Sequence, residues 1–356
     1  MPIQRGLFLV LVLFAAKPSW GAEPAAASPT EQITWSKLIS SGAVTLYTEN
    51  DKYFAGSDRH YTNGFKLSFL GDTNLKDSPD FVQAVAHFIP TLPEKNAAQQ
   101  DYRVGVAIGQ NIYTPTDIRT PTPDPNDRPY AAWLYGAFTF QARDPQHDLL
   151  RVVELDVGIV GPSAIGEEIQ NGVHTLMHIP HALGWSHQLH DEPGIVLAWE
   201  HRHGLKRTSF AESNLGGDLL GHYGLSLGNV DTSARVGLML RAGWRLPLDF
   251  GPDLIRAAGG DLAPAEHTSF YFFGGAETRA VGRNIFLDGN TWHDSPSVDK
   301  RPLAADFNVG FVLRFPAHCG ILSGLQIAYA ENYRTKEFYG QAQRDVFGSI
   351  ALSFLH

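Results

Sequence analysis

Apolar and polar residues alternate along most of this chain. Val153, Leu155, Val157 and Ile159 alternate with Val152, Glu154, Asp156 and Gly158, and Ile195, Leu197 and Trp199 alternate with Ala198, Glu200 and Arg202. Val236, Leu238, Leu240 and Trp244 oppose Arg235, Gly237, Arg241 and Arg245, and Phe307 to Phe315 repeats the pattern against Asn308, Gly310 and Arg314. A period of two marks a strand with two unlike faces. Strands are expected near 43–50, 61–70, 102–112, 130–141, 149–160, 193–202, 218–229, 234–245, 268–280, 305–315, 321–333 and 345–355. Arginines on the second face do not suit a sandwich core, and a soluble sandwich would leave them in solvent. An even number of strands, apolar outside and polar or small inside, is the pattern of bacterial outer-membrane barrels. The fold expected is therefore all-β, a twelve-stranded antiparallel transmembrane β-barrel over residues 43–356.

One segment departs from the alternation. In 161–192, Ile165, Ile169, Val173 and Leu176 recur at helical spacing, while Gln170 and His174, four residues apart, share another side. The spacing predicts a helical insert in an outward loop whose apolar face packs on a wall and leaves the imidazole on the opposite side. A second, short helix is expected over Asp80–Ile89, ended by Pro90.

The first residues bound the compartment. Arg5, the apolar run Leu7 to Ala16 and the small residues Ser19, Gly21 and Ala22 read as a secretory signal over 1–21, cleaved between 21 and 27. A periplasmic stretch over 22–42 follows in this reading. The apolar run is about half of what a spanning helix needs. The single cysteine, Cys319, excludes an internal disulfide or a cysteine metal cluster. A net charge of −9 without a basic stripe argues against a nucleic-acid partner.

With the chain starting on the periplasmic side, connections after odd-numbered strands face outward: 51–60, 113–129, 161–192, 230–233, 281–304 and 334–344. Polar clusters then converge on the outer rim. Asn50 and Asp51 end the first strand, Asp58 to Gly64 opens the second, Gln110 to Pro115 ends the third and Asp127 to Tyr130 opens the fourth, with His174 after the fifth. Alternation in the second strand sets Thr62 with Lys66 and Ser68, toward the lumen. Taken singly, each cluster has an ordinary explanation as turn chemistry, and most histidines on polar helices do no chemistry.

The ordered set resembles the outer-membrane lipid A 3′-O-deacylases, the LpxR family. It runs Thr48-Glu49-Asn50-Asp51, Tyr61-Thr62-Asn63-Gly64, Gly109 to Pro115, Asp127-Arg128-Pro129-Tyr130, Gly158 to Pro162, and Glu168 to His174. The resemblance implies a twelve-stranded barrel, in the bacterial outer membrane with its active site facing the outer leaflet, that removes the 3′-linked acyloxyacyl group of lipid A, the anchor of lipopolysaccharide. It implies His174 as the general base activating water, Asp51 as a Ca²⁺ ligand, and Asn50 and Thr62 beside the metal and the reacting ester. Histidine and a hard cation held by Asp and Asn oxygens suit ester hydrolysis, and Gln170 is placed to orient the imidazole or a water. Arg59, Arg119 and Arg128 are candidates to orient the lipid A phosphates.

The chain departs from the family where some members carry an acidic residue beyond the histidine, a position held here by Pro180; His178, His181, His187 and His190 fill this region. His174 and His178 have a spacing that can hold Zn²⁺, without the intervening Glu of the zincin arrangement. Two other readings remain at this point. One is an outer-membrane phospholipase-type esterase, for which Ser57 and Ser163 offer no recognisable nucleophile context. The other is a non-enzymatic adhesin or porin-like barrel.

Overall fold

The computed structural model describes residues 42–51, 53, 60–73, 101–210, 213–252 and 266–355, apart from the side chains of 60–62 and 210. The signal-like segment, residues 22–41, Ser57, Arg59 and the expected Asp80–Ile89 helix lie outside these residues. Twelve strands follow one another: β1 (Gly42–Asn50), β2 (His60–Thr73), β3 (Asp101–Thr114), β4 (Ala131–Asp144), β5 (Leu149–Val160) and β6 (Glu192–Phe210), then β7 (Leu215–Gly228), β8 (Asp231–Trp244), β9 (Ser269–Asn284), β10 (Leu303–Arg314), β11 (Leu325–Arg334) and β12 (Asp345–Leu355). Each pairs antiparallel with its neighbours, and β1 pairs with β12 to close the barrel. The sheet therefore has no free edge, as a lipid-immersed sheet requires. No described helix is long and apolar enough to cross a membrane.

Every expected strand is present, with two notable shifts of boundary. The expected connection 203–217 is mostly strand, because β6 and β7 continue to pair as far as Phe210↔Leu215. There Arg207 binds Asp218 at 2.8 Å, so charged residues that read as loop cross-link two strands. At the same end of the barrel wall, 320–322 form a 3-10 turn and β11 starts only at Leu325.

The two faces of the wall are as unlike as the alternation requires. On β8, Val236, Leu238 and Leu240 are 60%, 51% and 63% exposed while Arg235 and Arg241, on the alternate positions that flank them, are buried. The first set faces lipid and the second the lumen, whose charges are paired at two levels. Toward the ends of β8 and β10, Arg241 binds Asp218 at 2.6 Å and also Asp249, and Arg314 binds Asp249 at 2.6 Å. Toward the opposite rim, Arg128 binds Glu337 at 2.5 Å, while Arg279 and Arg334 bind Asp306 at 3.1 and 2.6 Å. A cavity of about 180 Å³ lies among these groups, lined also by Glu49, Tyr135 and Asp156.

Burial alone would raise the Glu337 carboxyl, but Arg128, Arg334 and Arg279 outweigh it and hold the group well below the usual carboxylate range. A depressed folded value means the pair's stabilisation is complete above the unfolded value, about 4.3, and is lost as pH falls below it. Heat-modifiability measurements should show the wild-type barrel losing thermal stability as pH falls below about 4. Glu337→Gln should be less stable at neutral pH, since a buried arginine loses its counter-charge, and should have a flatter acid limb. An equal acid dependence in both proteins would rule out this ion pair as the source.

Candidate active site on the outer wall

Strand register decides which side of the wall carries the site. Trp133 and Tyr135 line the lumen cavity, so Ala132 and Leu134, on the alternate positions of β4, face outward. Across the sheet Ala132 pairs with Ile112, Ile112 with Asn63, and Asn63 with Asn50. Glu49 lines the lumen, which puts Asn50 in this outward row as well. The row Asn50, Asn63, Ile112 and Ala132 thus belongs to the lipid-facing side near the rim, while the side chain of Thr62, expected toward the lumen, lies outside the described ones. Thr62 itself is the extra residue of an irregularity between Tyr61 and Asn63, where the register shifts and a count by twos fails.

The insert covers this patch. After β5 the chain turns at Gly161, whose φ of 110° suits glycine, and passes through a 3-10 turn, Pro162–Ala164, into helix α1 (Gly166–Met177). Ser163 anchors the turn, its amide and hydroxyl both donating to Asp191 at 2.8 and 2.7 Å. Beneath the helix Ala164, Ala182, Tyr130 and Trp185 pack on Ile112 and Ala132, all buried. Gly166 makes the closest approach: a Cβ there would lie 2.5 Å from the Ala132 methyl and 2.7 Å from the Trp185 ring. Gly166→Val should lift α1 from the wall, cost about 1–3 kcal/mol of thermal stability and reduce activity. Unchanged activity would show that this seating is not needed.

The face of α1 that meets the wall is the polar one. Gln170 and His174 are both 3% exposed, whereas Ile169, Val173 and Leu176 are 39%, 40% and 58% exposed. This reverses the orientation expected from amphipathicity. The reason is the surroundings: outside a barrel wall the medium is lipid, so the apolar stripe turns outward and the polar stripe is covered.

Within this cover each polar group is oriented. His174 Nδ1 lies 2.7 Å from the Pro180 carbonyl; a carbonyl only accepts, so Nδ1 carries the proton and Nε2 the lone pair of the neutral ring. Pro180, whose side chain offers no donor or acceptor, thus contributes through its backbone. Asn171 fixes the same segment, its side chain donating to the Ala182 carbonyl at 3.2 Å and accepting from the Ala182 amide at 2.9 Å. The Trp185 indole donates to Gln170 Oε1 at 2.8 Å. This sets the Gln170 amide so that buried Nε2, without a partner among the described residues, points elsewhere. Gln110 Nε2 donates to the Ala164 carbonyl at 2.6 Å and ties β3 to the insert. Sequence patterns gave no role to Trp185, Asn171 or the Pro180 carbonyl, whose partners are seen only once the chain beyond the helix folds back.

Other candidates fall elsewhere. Asp51, at the end of β1, is a buried carboxylate, 1% exposed. With Asn50 it sits two strands from β3, about 10 Å across the sheet. Arg128 is 1% exposed and turned inward to Glu337 and the Tyr113 ring, where a phosphate outside does not meet it. Arg119 is 77% exposed beside Asp117. His178 is the exposed C-cap of α1, with Nδ1 3.2 Å from the Leu176 carbonyl, and does not share the buried face of His174. His181 Nε2 lies 2.8 Å from the Thr175 hydroxyl. Among the described residues no three His, Cys, Asp or Glu side chains cluster as metal ligands.

A solved structure, LpxR from Salmonella typhimurium, superposes with a TM-score of 0.70 at 18% identity, covering 88% of this chain and 100% of that one; this likeness concerns the fold. The β domain of the Bordetella autotransporter BrkA gives a TM-score of only 0.43 at 8% identity, over 89% of this chain and 98% of that one. Among curated proteins compared by sequence, none matches. The family model described as outer membrane protein LpxR matches residues 7–356, nearly the whole chain, and the protein belongs to the LpxR family.

Proposed function

We propose that the chain hydrolyses the 3′-linked acyloxyacyl ester of lipid A in the cleft between α1 and the outer wall, with His174 as general base for a water. As an LpxR-family protein it is an outer-membrane lipid A deacylase. The observation that carries the finer reading is the burial of His174 on the lipid side of the barrel, with Nδ1 bound to the Pro180 carbonyl.

From that geometry the steps follow. Nε2 takes a proton from water as the water oxygen bonds to the ester carbonyl carbon. The carbonyl oxygen gains the negative charge, and the Gln170 Nε2–H is the donor available to it. When the tetrahedral species collapses, the C–O bond to the sugar breaks and the imidazolium returns its proton to the leaving oxygen, giving a free 3′ hydroxyl and the acyloxyacyl acid. No serine is needed as nucleophile: Ser163, the described one considered for that part, is engaged with Asp191 at the exposed turn.

A calcium ion suits the hard oxygens of Asp51 and Asn50, a buried carboxylate beside an amide on the same rim. These two residues would hold it, with substrate and solvent oxygens completing its shell. Bound there, it would supply electrophilic stabilisation of the ester. The phosphates of lipid A have Arg119 as their exposed candidate on this rim and Arg59 outside the described residues, while Arg128 serves the lumen.

The outward stripe of α1 suits a substrate whose acyl chains stay in the outer leaflet. Replacing Ile169 and Val173 together by Glu should reduce deacylation of lipid A in outer-membrane vesicles while sparing hydrolysis of detergent-dispersed lipid A. Equal losses in both assays would contradict a membrane role for this face. The paired charges across the lumen suit a closed scaffold better than a solute pore.

A further inference from the structure

The outward face of the wall carries a second polar patch, at the end away from α1. Arg151, two residues into β5, pairs across the sheet with His201 of β6, and His201 with Tyr223 of β7. Arg151 alternates with Val152 and Glu154, which are buried on the lumen side, so it belongs to the lipid-facing set with Leu155 and Val157. Along β6 the outward positions read Ile195, Leu197, Trp199, His201 and His203, with Lys206 beyond an irregularity. That order runs from hydrocarbon to aromatic to cationic, the order in which a membrane gives way to headgroups. From Glu192 at the top of β6 to His201, at a rise of about 3.3 Å per residue and a tilt near 40°, the drop is roughly 23 Å, close to the height of the apolar band.

The patch is preformed. His201 and His203 stack with ring centroids 4.5 Å apart, His201 stacks on Tyr223 at 5.0 Å, and the Tyr223 hydroxyl lies 3.1 Å from His201 Nδ1. Trp199 closes one side, 5.9 Å from His201 and 5.5 Å from Tyr223. Arg151 and His201 are 8% and 7% exposed, yet Arg151 Nε, His201 Nε2 and Trp199 Nε1 have no hydrogen-bond partner among the described residues. Three buried nitrogens left unmatched on one lipid-facing patch are a cost that an outside acceptor removes. The nearby acid, Asp144, already binds His147 at 2.8 Å and the amides of Gln146 and His147. No acidic side chain occupies an outward position of β5 or β6 in this stretch.

We propose that this patch binds the phosphate of a glycerophospholipid in the periplasmic leaflet, its acyl chains lying along Leu155, Val157 and Leu197. Arg151 supplies the charge-assisted donor and the histidines and tryptophan the remaining ones. The site is independent of deacylation and rests only on the barrel's place in the membrane.

The test is native mass spectrometry of the purified full-length barrel in detergent, titrated with phosphatidylglycerol, with diacylglycerol of the same chains, and with phosphatidylglycerol plus excess inorganic phosphate. Wild type should retain one phosphatidylglycerol in preference to diacylglycerol, and phosphate should not displace it. Arg151→Gln should lower that retention roughly tenfold or more, as loss of a charged hydrogen bond implies. His203→Gln, at a less buried position, should lower it as well and decides the matter if Arg151→Gln does not fold. Equal retention of both lipids, unchanged retention in the folded variants, or full displacement by inorganic phosphate would overturn the assignment.

Discussion

His174→Ala is expected to lower the turnover number for lipid A deacylation by roughly 10²–10⁴-fold, the usual contribution of a positioned general base, while the barrel stays folded. The side chain is buried against the wall, so truncation also leaves a small void beneath α1; heat modifiability of the variant separates that effect from loss of the base. A structural role alone would be mimicked by His174→Gln, which fills the space and keeps a donor toward the Pro180 carbonyl. Both variants should be equally inactive. Activity retained by His174→Gln would mean that the imidazole orients the insert and moves no proton.

Gln170→Glu should reduce turnover by roughly 10²–10³-fold with little change in KM, the scale of losing one donor to an oxyanion. Glu keeps an oxygen for the Trp185 indole, which now donates to Gln170 Oε1 at 2.8 Å, while it removes the amide donors and sets a carboxyl where the oxyanion would form. Steady-state kinetics on detergent-dispersed lipid A would separate the two parameters. A loss confined to KM would point to ground-state binding. A turnover number near wild type would remove Gln170 from the reaction.

The barrel was legible because alternation by twos is a local property: Val236, Leu238 and Leu240 against Arg235 and Arg241 announce a two-faced wall. The helix was legible for the same reason, and Gly166–Met177 lies where Ile165, Ile169, Val173 and Leu176 place it. Its orientation was not. Amphipathicity says that two faces differ, while the environment says which is covered, and outside a membrane wall the covered face is polar. The irregularity beside Thr62, where the register shifts between Tyr61 and Asn63, was not legible either, since alternation by twos carries no sign of an extra residue. Arg128 reads as an exposed cation because its partner, Glu337, is 209 positions away and no local pattern connects them. Pro180 carries no side-chain donor or acceptor, so its part in orienting His174 is invisible until the backbone is traced.

In the proposed mechanism, seating His174 on the lipid side has a functional sense. Lipid A is held in the outer leaflet, and a site between wall and helix meets its ester without drawing the molecule into the lumen. The lumen remains filled with paired charges that fix the strands supporting Asn50, Gln110 and the cover of α1.

The most direct measurement is mass spectrometry of lipid A from cells producing the wild type or His174→Ala, with insertion of both barrels verified and the purified wild type assayed with calcium and with chelator. Loss of the 3′-linked acyloxyacyl group in the wild type alone, abolished by chelation and restored by calcium, is the predicted result. Unchanged lipid A around a correctly inserted wild-type barrel, or deacylation that survives His174→Ala, would contradict it.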